Sequence, residues 1–368
     1  MTEKAKSKAL NKQQEPLKPQ ERAYYLDFLR ICAIIAVVIV HCVSFSTALD
    51  RQATNPLGWF GAITIDSFVR WCVPVFVMIS GALLITDKAY MNPRTFLNKR
   101  FLRILPALIA WPLIYAIWQA FIKHTPVDLS SLINGYLQGS FVAGGQLYFL
   151  FLIAGLYLLT PFISAYAHVA TRKQLWIAAF SIMIATTLWY SVSTFTSHTE
   201  PTLNFITQGL PYVGYFILGY LLKDISVKHW FIPAGIFVVG SALIDTVVLQ
   251  TQHTFLYNFF FSYPTPLVML ISPAAFLLGQ VTYARIVSFI TYKNISLSKF
   301  HKIITMLSEA SFGVYLIHLI VLDVFVLLLE LNRSSLKDSL VLIPIVTITS
   351  WLAALTILRI PYIRALIR

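Results

Sequence analysis

The chain has 368 residues, 58% of them hydrophobic and 12% charged, with a mean hydropathy of +0.73. This composition excludes a water-soluble domain of such length and makes the bilayer the solvent. The formal net charge of +13 would suit a nucleic acid, but the placement of the basic residues makes it a topology signal instead.

Residues 1–22 are polar, with Lys4, Lys6, Lys8, Lys12, Lys18 and Arg22 set against Glu3, Glu15 and Glu21. They lack apolar periodicity and read as a disordered cytoplasmic tail. The remainder, 23–368, reads as one membrane domain. The first apolar stretch starts too late and runs too long for a cleaved signal peptide, so it is expected to stay as an anchor. A span needs about 20 mostly apolar residues. Ten segments qualify: 26–48, 67–86, 103–123, 146–167, 174–194, 207–223, 230–249, 265–284, 307–329 and 339–360. The expected fold is therefore an all-α, polytopic bundle of about ten transmembrane helices. With the N-terminus in the cytoplasm, 23 of the 28 Lys and Arg residues fall on the cytoplasmic side, as the positive-inside rule requires. A shift of one span would reverse the later loops and spoil that bias.

Span 1 carries Asp27, Arg30 and His41 in YYLDFLRICAIIAVVIVHCVSF. Asp27 and Arg30 are three apart and can pair. Arg30 and His41 are eleven apart, which puts them on one helix face about 16 Å apart along the axis. Insertion of a charged residue costs about 2.5–3.5 kcal/mol, so the presence of ionisable side chains here points to use. An imidazole at that depth can hold or pass a proton near neutral pH. Span 2 opens with Arg70 and Trp71, which could face an anionic acceptor or anchor the helix at the interface. At the cytoplasmic start of span 3, KRFLR holds Lys99, Arg100 and Arg103. The two arginines share a face, and paired guanidiniums suit phosphates because their donors form a planar fork; simple anchoring is the other reading.

Between spans 3 and 4, Leu129, Leu132, Ile133, Tyr136 and Leu137 follow helical spacing and predict a helix lying at the interface. Gln146 and Tyr148 open span 4 at the outer edge, within reach of a sugar. The aromatic run Phe255, Tyr257, Phe259, Phe260, Phe261 and Tyr263 reads as an interfacial belt. In span 9, LSEASFGVYLIHL aligns Ser308, Ser311, Tyr315 and His318 in one polar stripe, with Glu309 beside it near the cytoplasmic interface. A polar stripe within an apolar span faces the bundle interior. The cysteines Cys32, Cys42 and Cys72 show neither metal spacing nor a disulfide framework and read as packing residues. No repeat relates the two halves, which weighs against an inverted-repeat transporter.

The ordered set YLDFLRICAIIAVVIVH, VPVFVMISGALL, RFLRILPALI, QLYFLFLIAGLYLLTP, GYFILGYLL and SEASFGVYLIHL resembles the acyltransferase 3 family of bacterial integral-membrane acyltransferases. The likeness runs over about residues 22–360 and is to short members without an esterase domain, such as the enterobacterial common antigen O-acetyltransferase type. It implies an inner-membrane enzyme that moves an acetyl group from cytoplasmic acetyl-CoA to a hydroxyl of a surface polysaccharide or lipid-linked sugar, with no bound cofactor or metal. Succinyl transfer to an exopolysaccharide is the alternative within the family. By match, His41 would be the catalytic histidine and Arg30 its partner, with Asp27 orienting the site. Glu309 would be the acidic position of span 9, and Arg100 and Arg103, with Lys99, would hold the donor. Arg70, Trp71, Tyr148, Tyr315 and His318 are the residues expected to meet the acceptor. Where many relatives have a His-x-Trp-Phe-Leu-like run, this chain has Gln146-Leu147-Tyr148-Phe149-Leu150. The rival class is a transporter or flippase of an anionic lipid-linked glycan, in which Arg30, His41 and Glu309 would bind substrate or couple protons. A structural scaffold fits less well, because scaffolds rarely bury Asp, Arg, His and Glu in spans.

Overall fold

The computed structural model describes residues 22–48, 54–124, 129–138, 145–197, 205–227, 229–250, 259–260 and 262–367. Of the expected tail only Arg22 falls among them. The described residues are helical, without a strand. In chain order the helices are α1 (Tyr24–Val43), α2 (Pro56–Val69), α3 (Cys72–Leu84), α4 (Asp87–Met91), α5 (Pro93–Lys123), α6 (Leu129–Gln138), α7 (Tyr148–Val169), α8 (Arg172–Ser197), α9 (Phe205–Leu222), α10 (Phe231–Gln250), α11 (Pro266–Tyr292), α12 (Leu297–Leu328) and α13 (Leu336–Leu358). Nine spans among the described residues are long and apolar enough to cross a bilayer. A tenth, shorter apolar helix is Gly209–Leu222, at the expected sixth span.

The helix ends follow local chemistry. Asn55 accepts the Gly58 N–H at 3.1 Å and Pro56 occupies the first turn of α2, a position where the missing N–H costs nothing. Ser296 and Ser335 cap α12 and α13 through the N–H groups of Lys299 and Asp338. At the end of α1 the Ser44 hydroxyl donates to the His41 carbonyl at 3.0 Å, occupying one of the carbonyls a helix terminus leaves open.

Three expectations change. The second span starts at Pro56, not 67, because α2 and α3 together form a 29-residue crossing; Asp66 and Arg70 lower the local hydropathy and hide its first half. Its break at Arg70–Trp71 has a cause four residues on, where Pro74 has no N–H for the Arg70 carbonyl. Regular bonding resumes with Val75 N–H to Trp71 O at 3.0 Å. The helices α5 and α12 extend past the expected spans 103–123 and 307–329 at their basic ends, so Arg94, Lys99, Arg100, Lys299 and Lys302, outside those spans, stand on helices. The aromatic run is no simple belt: Phe259 is buried and stacks on Tyr190, 5.6 Å between centroids, while Tyr263 lines the central cavity. Phe255, Tyr257 and Phe261 lie outside the described residues. The helix expected between spans 3 and 4 forms over Leu129–Gln138, with Tyr136 donating to the Ile109 carbonyl of α5 at 2.7 Å.

α1 is the axis of the bundle, packed against α2, α3, α11, α12 and α13. Leu29, Ala33, Ile34, Val38 and Val43 are almost fully buried along it. α3 and α9 touch backbone to backbone. A Cβ on Gly81 would stand 1.8 Å from the Phe216 carbonyl oxygen, and one on Gly219 would stand 1.9 Å from that of Met78. Only glycine permits that approach. The outer faces expose Ile117, Phe162, Ile184, Leu188 and Leu352, an apolar surface suited to acyl chains and not to water.

Candidate active site

At the basic end of α1 a single carboxylate organises two guanidiniums and a hydroxyl. Asp27 sits in the first helical turn, where the macrodipole favours an anion, and is 6% exposed. Its Oδ2 accepts from Arg22 Nε at 2.7 Å. Its Oδ1 accepts from Arg30 Nη1 at 3.3 Å and from the Ser308 hydroxyl at 2.7 Å. Arg30 Nη1 also donates to Ser308 Oγ at 2.9 Å. Arg22 reaches Glu309 at 3.5 Å. This network ties α1 to α12, and charge-assisted bonds of its kind are the strong ones. Arg100 and Arg103 face the same mouth from α5, with the Arg100 guanidinium over the Phe96 ring at 5.6 Å. Four guanidiniums against two carboxylates leave this mouth positive.

From there a cavity of about 600 Å³ runs into the bundle. Arg30, Arg100, Arg103, Tyr157, Ser308 and Glu309 line its basic end. Val37, Val40, Val73, Phe76, Phe149 and Ile153 contribute apolar walls. His41, Arg70, Gln146, Tyr148, Tyr263 and Tyr315 line the rest. The volume is that of a ligand site.

The local sequence explains how these groups arrive. His41 lies on the last turn of α1, on the Arg30 face. Arg70 stands at the Pro74-induced break, and its guanidinium forms an ion pair with Asp66 one turn back on α2. The Asp66 side chain is fully buried. Tyr148 begins α7 after a 3₁₀ turn over Gly145–Leu147. The Tyr315 hydroxyl donates to the Gln146 carbonyl at 2.6 Å, which fastens that turn to α12.

Of the residues singled out in the sequence, Arg30, His41, Arg70, Arg100, Arg103, Tyr148, Glu309 and Tyr315 meet around one cavity. Asp27 stands behind Arg30 and holds it. His318 stands behind His41, fully buried, with 5.0 Å between ring centroids. Lys99 is exposed and absent from the lining. Trp71 is also absent from the lining; its indole donates to the Phe68 carbonyl at 2.8 Å and its ring packs on Phe237 of α10. Glu309 lies nine residues before His318 on α12, about 13 Å of helix away, so it belongs to the mouth and not to the imidazole. The sequence pattern does not mark Asp66, Arg22, Tyr157 or Tyr263 as site residues: Arg22 reads as tail and Tyr263 as interfacial belt. Asp66 carries a signal in its i,i+4 spacing to Arg70; Arg22 is joined by a local bond to Asp27 five residues on and by an ion pair to Glu309, and Tyr157 and Tyr263 reach the cavity through tertiary packing.

The arrangement offers an anion-binding mouth, an apolar passage and an imidazole among hydroxyls, which is the equipment of group transfer. The family model for the acyltransferase domain Acyl_transf_3 matches residues 23–359. The chain is 24% identical over 304 residues to a Bacillus subtilis (strain 168) protein named "Putative membrane-bound acyltransferase YfiQ", covering 79% of this chain and 78% of the relative. No solved structure matches. With the family match spanning nearly the whole described bundle, the chain belongs to the acyltransferase 3 family of membrane acyltransferases.

Proposed function

We propose that the protein is an O-acyltransferase of the bacterial plasma membrane that moves an acetyl group from acetyl-CoA at the basic face to a hydroxyl of a glycan acceptor at the opposite end. The observation that carries this reading is that Arg30, Arg100 and Arg103 line the same cavity as His41. The phosphates of the donor would rest on Arg100 and Arg103, while the slender thioester arm occupies the passage toward His41. Asp27 and Ser308 fix Arg30, so that the mouth is preorganised rather than assembled on binding.

At His41 the neutral imidazole takes the proton of the acceptor hydroxyl as its oxygen attacks the thioester carbonyl. The C–O bond forms, the C–S bond breaks, and the leaving sulfur takes that proton. Alternatively, the imidazole nitrogen itself attacks the thioester carbonyl: the C–N bond forms, the C–S bond breaks, and the leaving sulfur takes the imidazole N–H proton; the acceptor oxygen then attacks the acyl-imidazole, the C–O bond forms, the C–N bond breaks, and the hydroxyl proton returns to the imidazole. Rapid-quench capture of an acyl-histidine during turnover separates the two routes.

Acetyl is favoured over succinyl by the charge near His41. Arg70 is paired with the buried Asp66, so its charge is already matched and a second carboxylate would be desolvated beside Asp66. The tyrosine hydroxyls around it suit a neutral, hydroxylated acceptor. The test uses purified protein in nanodiscs with labelled acetyl-CoA and a lipid-linked glycan. An ester-linked label on the glycan is expected from the wild type and none from a folded His41→Ala variant. Acylation at a normal rate by that variant overturns the assignment, and glycan transport without ester formation would establish the transporter class instead.

A further inference from the structure

We infer that His318 is a positioning residue that sets the tautomer of His41, an inference that rests on the acyltransferase reading only for its consequence in turnover. His318 ends the polar stripe of α12 and its side chain is fully buried. Its Nδ1 lies 2.7 Å from the Tyr315 carbonyl oxygen and 3.2 Å from that of Val314. Carbonyl oxygens only accept, so Nδ1 carries the proton and is shared between the two. The neutral ring then has a bare lone pair on Nε2. A ring flip would put a C–H against both carbonyls, so the helix itself holds the ring in this sense.

That Nε2 is buried and accepts no hydrogen bond among the described residues. Buried acceptors are almost always satisfied. The neighbouring ring able to offer an N–H is His41, tilted 46° with 5.0 Å between centroids. At that centroid separation, nitrogens that face one another across two five-membered rings are within hydrogen-bond range; the bond requires the His41 N–H to turn toward Nε2. Once made, the bond uses the one proton of neutral His41. The other His41 nitrogen is left as a lone pair, available to the cavity that His41 lines and His318 does not. The histidine behind thus does for His41 what an orienting acceptor does for any catalytic imidazole: it selects the tautomer and steadies the imidazolium that forms when the proton is taken.

The experiment reads the tautomer directly and turnover separately. Full-length protein carrying ¹⁵N-histidine is placed in bilayers, and the His41 signals are assigned by comparison with His41→Ala. Wild type should show His41 as one neutral tautomer, and His318→Leu should show both. Equal tautomer populations in the two proteins overturn the inference whether or not acyl transfer is detected. In turnover with labelled acetyl-CoA, His318→Leu should lose about 10²-fold in kcat with KM for acetyl-CoA within about twofold of wild type. His318→Gln, which keeps an acceptor near the position of Nε2, should recover at least about tenfold of that loss. Should the leucine variant misfold, His318→Gln is compared with His318→Asn, whose acceptor stops short of that position; equal rates for these two overturn the inference. Absence of label transfer by wild type would refute the acyltransferase reading and leave the spectroscopic result standing as the measure of this one.

Discussion

Replacing Asp66 by Asn should change which acyl group the enzyme prefers. Asp66 is fully buried and pairs with Arg70, whose side chain is 17% exposed and lines the cavity beside His41. The substitution keeps the shape and one acceptor oxygen but removes the charge that neutralises Arg70. Breaking a buried pair from one side costs about 3–5 kcal/mol, and Asn together with the partial exposure of Arg70 keeps the loss toward the lower figure. The unmatched guanidinium then becomes a site for an incoming carboxylate. A hydrogen bond to a charged group contributes about 1.5–3 kcal/mol; taking about 2 kcal/mol, a succinyl donor gains roughly thirtyfold over acetyl relative to wild type. The assay is competition between labelled acetyl-CoA and succinyl-CoA for one acceptor, read as the ratio of kcat/KM in folded protein. Removing the cation as well, in Asp66→Asn with Arg70→Met, should return the ratio to neutral preference. An unchanged ratio in folded Asp66→Asn would refute the argument that pairing of Arg70 excludes anionic acyl groups.

Arg100→Ala combined with Arg103→Ala should raise KM for acetyl-CoA and leave kcat within a few-fold, and should flatten the salt dependence of KM, since a phosphate site in a positive mouth weakens as salt screens it; an unchanged KM would remove the donor-site assignment. Ser308→Ala deletes the hydroxyl that joins Arg30 to Asp27, at about 1–3 kcal/mol for the groups left unpaired; a rise in KM with a smaller fall in kcat is expected from initial rates. Gly219→Ala places a methyl 1.9 Å from the Met78 carbonyl oxygen, forcing α3 and α9 apart, and should destabilise the fold by about 3 kcal/mol or more, measured by denaturant unfolding in micelles. Stability equal to wild type would mean that the two helices can separate without loss.

The sequence marks the site where a residue is expensive in lipid. Arg30, His41, Arg70, Arg100 and Arg103 stand out because each interrupts or borders an apolar run, and all five line the cavity. The same rule hides structure elsewhere. Asp66 and Arg70, by lowering hydropathy, conceal the eleven residues that precede 67 and belong to the same crossing. Basic residues flanking the expected spans of α5 and α12 stand on helical extensions because helix propensity continues beyond the apolar window. Tyr263 and Tyr157 are illegible for a different reason: a tyrosine in an apolar segment has the same sequence signature whether it faces headgroups, core or cavity, and tertiary packing alone decides. Arg22 reads as tail because the residues before it are polar, whereas its partners Asp27 and Glu309 lie five residues on and in another helix.

Two irregularities in the backbone meet at the cavity, and this coincidence has a physical reason. Within the hydrocarbon, non-helical backbone is tolerated only where it is buried in protein or lines a polar space. The helix break at Arg70–Trp71 follows from Pro74, and the 3₁₀ turn at Gly145–Leu147 opens α7; both contribute lining, through Arg70 and through Gly145 and Gln146. The break turns Arg70 out of the α2 ladder at the point where Asp66, one turn back, can still reach it. The 3₁₀ turn presents the Gln146 carbonyl to Tyr315, on the same α12 face that carries His318. A straight α2–α3 helix would carry Arg70 round with the regular ladder, and α7 without its turn would lose the tie to α12. The polar wall around His41 is therefore built where the chain gives up helical regularity, whereas Arg30, Arg100, Arg103 and Glu309 of the basic mouth stand on the continuous helices α1, α5 and α12.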